Sequence, residues 1–141
     1  MLNGLSTPAT AAKAWVDAWE RGWAEHDSAS IADRYVANCT FSSHPFRALV
    51  RGRAAAAAWI SEAFAEERPA RFVFGAPIVA DDGRAAVEYR AIITGPDGID
   101  TTLAGTTILR FDEAGLVIEH RDYWTTSAGD LGLDLPMEAS A

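Results

Sequence analysis

The chain has 141 residues, 49% of them hydrophobic, which is enough for one domain with a sizeable core. Its formal net charge of −8 disfavours nucleic acid and anionic membrane surfaces as partners, since both reward a basic patch. A lone cysteine, Cys39, excludes an internal disulfide and fits a reducing cytosol, so a cytoplasmic location is expected, and no stretch reads as a signal peptide or as the roughly 20 apolar residues of a membrane span.

Ser6-Thr7-Pro8 opens a helix, with a capping hydroxyl followed by a proline whose missing N–H costs nothing in the first turn. The helix is predicted to run to about Ala24, because Ala12, Trp15, Val16, Trp19 and Trp23 recur at three- and four-residue steps. His26-Asp27-Ser28 interrupts it, and Ser28 is expected to cap a short second helix carrying Ile31 and Tyr35. Asn38 to His44 reads as a strand stopped by Pro45, and Pro45 to Arg51 as a loop. Gly52-Arg53 introduces a third helix to about Glu67, with Ala56, Trp59, Ile60, Ala63 and Phe64 as its apolar stripe and Arg68-Pro69 as its end.

Four strands follow. Arg71 to Val79 leads through the hairpin turn Asp81-Asp82-Gly83 into Arg84 to Thr94. Gly95-Pro96-Asp97-Gly98 turns the chain into Ile99 to Phe111, and Asp112-Glu113-Ala114-Gly115 leads into Leu116 to Thr125. Residues 1–126 are read as one domain. Residues 127–141, with two glycines, a proline and three acids, are read as a mobile or weakly docked tail. Segregated helices and hairpins define an α+β fold, a curved antiparallel sheet wrapped around helices as a cone with an internal pocket.

The last strand carries the most informative pattern. Alternation places Leu116, Ile118, His120, Asp122 and Trp124 on one face, and Val117, Glu119, Arg121, Tyr123 and Thr125 on the other. An imidazole and a carboxylate two residues apart on a mostly apolar face suit a pocket wall. Asp122 can be desolvated toward a pKa useful for proton transfer, paired with His120 or Arg90, or simply wet. His120 can share a proton with Asp122 or bond a backbone carbonyl. His44 is either a base at the pocket mouth or a loop histidine.

Val87, Tyr89, Ala91 and Ile93 form the better inward face of their strand, and Leu103, Gly105, Thr107, Leu109 and Phe111 match it on the next. Glu88, Arg90, Glu119 and Arg121 then fall outside, as a cross-strand charge ladder if their strands are near neighbours. Trp15, Trp19, Tyr35, Phe41, Trp59 and Phe64 are core or, with Trp124 opposite, the lining of an aromatic pocket. No HxH or HxxxH spacing supports a metal.

The element order, the Gly52-Arg53 helix opening and the Gly115 to Trp124 ending resemble the nuclear transport factor 2-like superfamily, and within it the SnoaL-like branch of small bacterial proteins, over about residues 9–126. Arg121-Asp122-Tyr123 before an aromatic is similar to the ending of limonene-epoxide hydrolases and to the acid/base aspartate of SnoaL-type cyclases, which implies that role for Asp122. Where the hydrolase has an arginine and an aspartate, Tyr89 and Ala91 stand. Where it holds its water with a tyrosine and an asparagine, Phe41 and Ser43 stand. The ketosteroid isomerase pattern puts His44, before Pro45, at the general base, Trp19 and Thr107 near the oxyanion donors and Trp124 at the pocket tryptophan.

The resemblance implies cofactor-independent acid/base chemistry on a small hydrophobic, oxygen-bearing molecule: isomerisation, cyclisation, dehydration or hydrolysis. Asp122 would be the acid/base, His44 or His120 would assist, and the Trp19 N–H or Tyr35 would hold an oxyanion. It implies no cofactor and a homodimer formed through the outer sheet face that bears Tyr123. The same superfold also hosts non-catalytic ligand-binding modules and dimerisation domains with an occluded core.

Overall fold

A computed structural model describes residues 5–68 and 70–135. Helix α1 spans Pro8–Glu25 and is capped by Thr7, whose hydroxyl accepts the Thr10 N–H at 3.1 Å. It ends at His26, which takes the left-handed conformation at φ 55°. Helix α2 is only Ser28–Ala32, and Asp27 caps it rather than Ser28. Tyr35 is not part of that helix. It begins strand β1, Tyr35–Ser42, three residues earlier than its alternating pattern suggested.

A two-residue strand, β2, Val50–Arg51, lies at the end of the expected loop and pairs antiparallel with β1. Helix α3 covers Arg53–Ala65 and buries Ala56, Ile60 and Phe64. Its expected end at Pro69 lies outside the described residues. The predicted strand from Arg71 to Val79 is two pieces, β3, Arg71–Phe74, and β4, Ile78–Val79, split at Gly75-Ala76-Pro77, where a flexible residue and one without an N–H interrupt the ladder. Both pieces pair with β5, Ala85–Thr94. Strands β6, Asp100–Phe111, and β7, Val117–Ala128, complete the sheet.

The sheet order is β2-β1-β7-β6-β5-β3. Strand β1 lies parallel to β7, pairing Phe41 with His120, so the first strand is brought beside the last. All other pairings are antiparallel. Helix α1 packs across the sheet, and Trp15, Tyr35, Phe41, Ile60, Val87 and Leu109 knit both layers into one core. Cys39 is buried there.

Two readings of the faces change. Strand β7 slips register between Arg110 and Phe111 of β6, so Val117 points into the core in phase with His120, while Ile118 is only half-buried. The outer charges do not form the expected four-residue ladder, because β6 separates β5 from β7. Glu119 instead lies 4.0 Å from Arg110 and 3.6 Å from Arg121. Arg90 is half-buried and off the cavity wall, on the face opposite the inward Tyr89 and Ala91. The chain beyond β7 also packs: Leu131 N–H and Gly129 C=O both bond the Thr102 hydroxyl, and Leu135 is buried. The expected tail beyond residue 135 lies outside the described residues.

Candidate active site

A cavity of about 160 Å³ opens between α1, α3 and the concave face of the sheet. All five tryptophans line it. Trp15, Trp19 and Trp23 descend α1 at four-residue steps, Trp59 comes from α3 and Trp124 from β7. The four-residue step keeps the three indoles of α1 on one face of the helix.

His120 and Asp122 stand together on β7 at one part of this wall. His120 Nε2 is 2.9 Å from Asp122 Oδ2, with the imidazole 1% and the carboxylate 15% exposed. The contact is an electrostatic one: Nε2 is buried and the oxygen lies off the line of a hydrogen bond. Asp122 therefore reaches the cavity, while His120 backs it. On the other side, Thr107 of β6 is the cross-strand neighbour of Asp122 and donates its hydroxyl to Oδ1 at 2.5 Å. One carboxylate oxygen is thus held by a hydrogen bond and the other lies against the His120 ring.

Behind His120, Tyr35 fixes the ring. The Trp15 indole N–H donates to Tyr35 Oη at 2.9 Å and the Trp19 N–H at 3.2 Å. An indole N–H can only donate, so the two lone pairs of the phenol oxygen are both used. Burial pushes the Tyr35 pKa far above the ordinary tyrosine range, so the hydroxyl keeps its proton; the two indole bonds oppose this without reversing it. That proton goes to His120 Nδ1, 2.8 Å away. Nδ1 is therefore an acceptor, the neutral imidazole carries its proton on Nε2, and a doubly protonated ring would lose a partner at Nδ1. Phe41 stacks on the ring from behind, centroids 4.1 Å apart.

Tyr89 of β5 is the remaining hydroxyl on the wall. Burial, and secondarily the nearby Asp122 charge, raise its pKa well above the ordinary tyrosine range. Among the described residues its hydroxyl has no hydrogen-bond partner, so the O–H is available to a ligand. Gly105 makes room for it: a Cβ there would lie 2.8 Å from Tyr89 Oη and 2.8 Å from the Tyr123 carbonyl oxygen.

Of the site residues read from sequence, Asp122, His120, Trp15, Trp19, Trp59, Phe64, Tyr89, Leu103, Thr107 and Trp124 line the cavity. Tyr35 and Phe41 do not; both are fully buried behind His120. Nor does His44. Its ring packs edge-on against Trp124 at 4.8 Å and its Nδ1 accepts the Phe46 N–H, because the chain turns outward after Ser43, whose carbonyl takes the Trp124 indole N–H. The Trp19 N–H and Tyr35 hydroxyl are engaged with each other and with His120, so the expected oxyanion role falls to neither. Trp23, Ser43, Phe74 and Glu67 line the cavity without having been assigned to it. Trp23 was signalled by its four-residue step from Trp19. Glu67 lies past the end of α3, where no periodicity reaches.

The fold is that of a nuclear transport factor 2-like α+β protein, an unclosed curved sheet around helices with its cavity inside. A family model for the SnoaL-like domain matches residues 12–120, and the chain belongs to that family. Among solved structures it is similar to SalBIII, an epoxide hydrolase/cyclase-like enzyme in pyran ring formation of the polyether salinomycin, with a TM-score of 0.73 at 18% identity over 83% of this chain and 95% of that one. It is also similar to Delta 5-3-ketosteroid isomerase from Mycobacterium sp., with a TM-score of 0.68 at 21% identity over 86% of this chain and 100% of that one. At these identities the likeness is one of fold. A search of curated protein sequences gives no match.

Proposed function

We propose that the cavity is an active site for cofactor-independent proton transfer on a small hydrophobic, oxygen-bearing molecule, with Asp122 as the acid/base. The observation that carries this reading is the placement of Asp122: a carboxyl group at an otherwise largely aromatic wall, with one oxygen on the Thr107 hydroxyl and the other against a histidine whose proton position is imposed by Tyr35. Such a group is preorganised to take a proton from a bound molecule and return it elsewhere.

In this mechanism Asp122 removes a proton from a carbon or hydroxyl of the substrate. The Tyr89 O–H donates to the substrate oxygen on which negative charge grows, in a site the aromatic rings keep dry. His120, its ring fixed through Nδ1 by Tyr35, places its Nε2–H beside the carboxylate. Asp122 then gives the proton back to a second position, which completes an isomerisation or a ring closure. That the fold is shared with an epoxide hydrolase/cyclase-like enzyme and with an isomerase supports this class of reaction. The cavity speaks against an occluded core.

The test is turnover of a panel of ring-sized enones, hydroxy-epoxides and ketones by wild type and Asp122→Asn. The reading expects a loss of about 10²–10⁴-fold in kcat for the variant, the usual contribution of a positioned acid/base. Unchanged turnover in the variant overturns it.

A further inference from the structure

Two carboxyl groups face the cavity, and only Asp122 has been given a task. The second, Glu67, stands just beyond α3 and its Oε1 accepts the Trp23 indole N–H at 2.6 Å. Trp23 lies two helical turns from Trp15 on the same face of α1, about 12 Å along the axis. The Trp15 and Trp19 rings lie 6.0 and 6.3 Å from His120, whereas Trp23 stacks on Phe72 at 4.9 Å. Glu67 therefore marks the end of the cavity remote from the His120–Asp122 pair. Between the two carboxyls the wall is mostly aromatic and aliphatic, and among the described residues neither lysine nor arginine lines it.

A half-buried carboxyl in such surroundings is costly without a role, and its pKa is raised above the ordinary glutamate value by that burial. One oxygen is anchored by Trp23, which leaves the acceptor capacity of the other for a ligand. We infer that Glu67 is a substrate-binding residue that accepts a hydrogen bond from a hydroxyl or amino group at the end of the substrate remote from Asp122, and that the cavity discriminates against anionic molecules. The inference rests on the cavity being a substrate site, and it deepens that reading by naming the substrate class. That class is a small elongated apolar molecule, oxygen-bearing at the reacting end and donor-bearing at the other. A carboxylate or phosphate at either end would meet a like charge with no cation to offset it. The cavity volume is close to that of dry protein cavities that hold a single benzene ring, which sets the scale at about one ring.

The experiment is calorimetric titration of wild type, Glu67→Gln and Asp122→Asn with four probes: para-hydroxyacetophenone, para-(aminomethyl)acetophenone, para-methoxyacetophenone and para-acetylbenzoate. The expected result is that the hydroxy and aminomethyl probes bind wild type at least tenfold more tightly than the methoxy probe, and that the benzoate does not bind. In Glu67→Gln the side-chain carbonyl can still accept from Trp23 while the amide presents N–H groups, so the preference for donors should fall to within about threefold. The two donor probes show whether an alcohol or an amine is favoured. Equal binding of the hydroxy and methoxy probes to wild type, an unchanged preference in Glu67→Gln, binding of the benzoate, or no binding of any probe would each overturn the inference. Asp122→Asn separates the two readings. If it retains the donor preference while wild type turns over no substrate, the acid/base proposal fails and Glu67 stands. If Asp122→Asn abolishes turnover while Glu67→Gln leaves the preference intact, the reverse holds.

Discussion

Tyr35 Oη and His120 Nδ1 lie 2.8 Å apart although 85 positions separate them in the chain. The parallel pairing of β1 with β7 makes the contact possible. Because Trp15 and Trp19 occupy both lone pairs of the phenol, the direction of this bond is set, and with it the tautomer of His120. Tyr35→Phe removes the acceptor for two buried or half-buried indole donors and the donor for Nδ1. The expected cost is about 1–3 kcal/mol of stability, the range for leaving a buried polar group unpaired. Nitrogen NMR of His120 is expected to show a single Nε2–H form in wild type and to lose that purity in the variant. An Nδ1–H form in wild type would refute the assignment.

Thr107 is the cross-strand partner of Asp122 and is itself buried. Thr107→Val keeps the shape and removes the hydroxyl that holds Oδ1. If Asp122 is the acid/base, turnover should fall roughly tenfold or more, since a hydrogen bond to a charged group contributes about 1.5–3 kcal/mol. Steady-state kinetics alongside thermal unfolding would separate this from a loss of fold.

Gly105 permits the close approach of three groups at the wall. A methyl at this position would sit 2.7 Å from Trp124 Cβ and 2.8 Å from both Tyr89 Oη and the Tyr123 carbonyl oxygen. The tyrosine ring can shift, but the backbone oxygen cannot without moving β7. Gly105→Ala is expected to destabilise by about 1–3 kcal/mol, as overpacking does, and to weaken ligand binding at Tyr89. Chemical denaturation and calorimetry check the two parts.

The pKa of Glu67 is raised by burial above its ordinary value of 4.5, with the Trp23 hydrogen bond working in the opposite direction. A carboxyl whose folded pKa lies above its unfolded one binds more protons in the folded state across that window, so its effect on stability improves as pH falls through it. Ionised Glu67 is therefore a penalty at neutral and alkaline pH. Glu67→Gln should raise the unfolding midpoint at pH 8, and the gain should vanish as pH falls toward 4.5. Thermal scans of both proteins over this range measure it. A gain that grows on acidification would show the opposite sign.

Much of the architecture was legible in local patterns. The stripe of Trp15, Trp19 and Trp23, the turn signals at Gly83, Gly98 and Gly115, and the alternation of β5 and β6 all reflect forces acting within a dozen residues. Tyr35 was misplaced in a helix because Ile31 and Tyr35 are four apart, which fits a helix, while its strand identity comes from pairing with Val117 far away. The inward turn of Val117 was hidden for a related reason: a register slip breaks the simple alternation that a single strand shows. At the site, Asp122 and His120 stood out as polar groups on an apolar face. The engagement of both indoles with Tyr35, the outward position of His44 and the arrival of Glu67 depend on how separate elements meet, and local spacing does not encode that.

The central claim is that Asp122 moves protons on a molecule held in the cavity, and deuterium exchange tests it most directly. Small enolisable ketones and enones, para-hydroxyacetophenone among them, would be incubated in heavy water with wild type, Asp122→Asn or buffer alone, and deuterium at carbon followed by proton NMR. The account expects wild type to accelerate incorporation beside the carbonyl for at least one probe, and Asp122→Asn to fall back by about 10²-fold or more toward the buffer rate. Exchange no faster than buffer for every probe, or an Asp122→Asn rate equal to wild type, would contradict it.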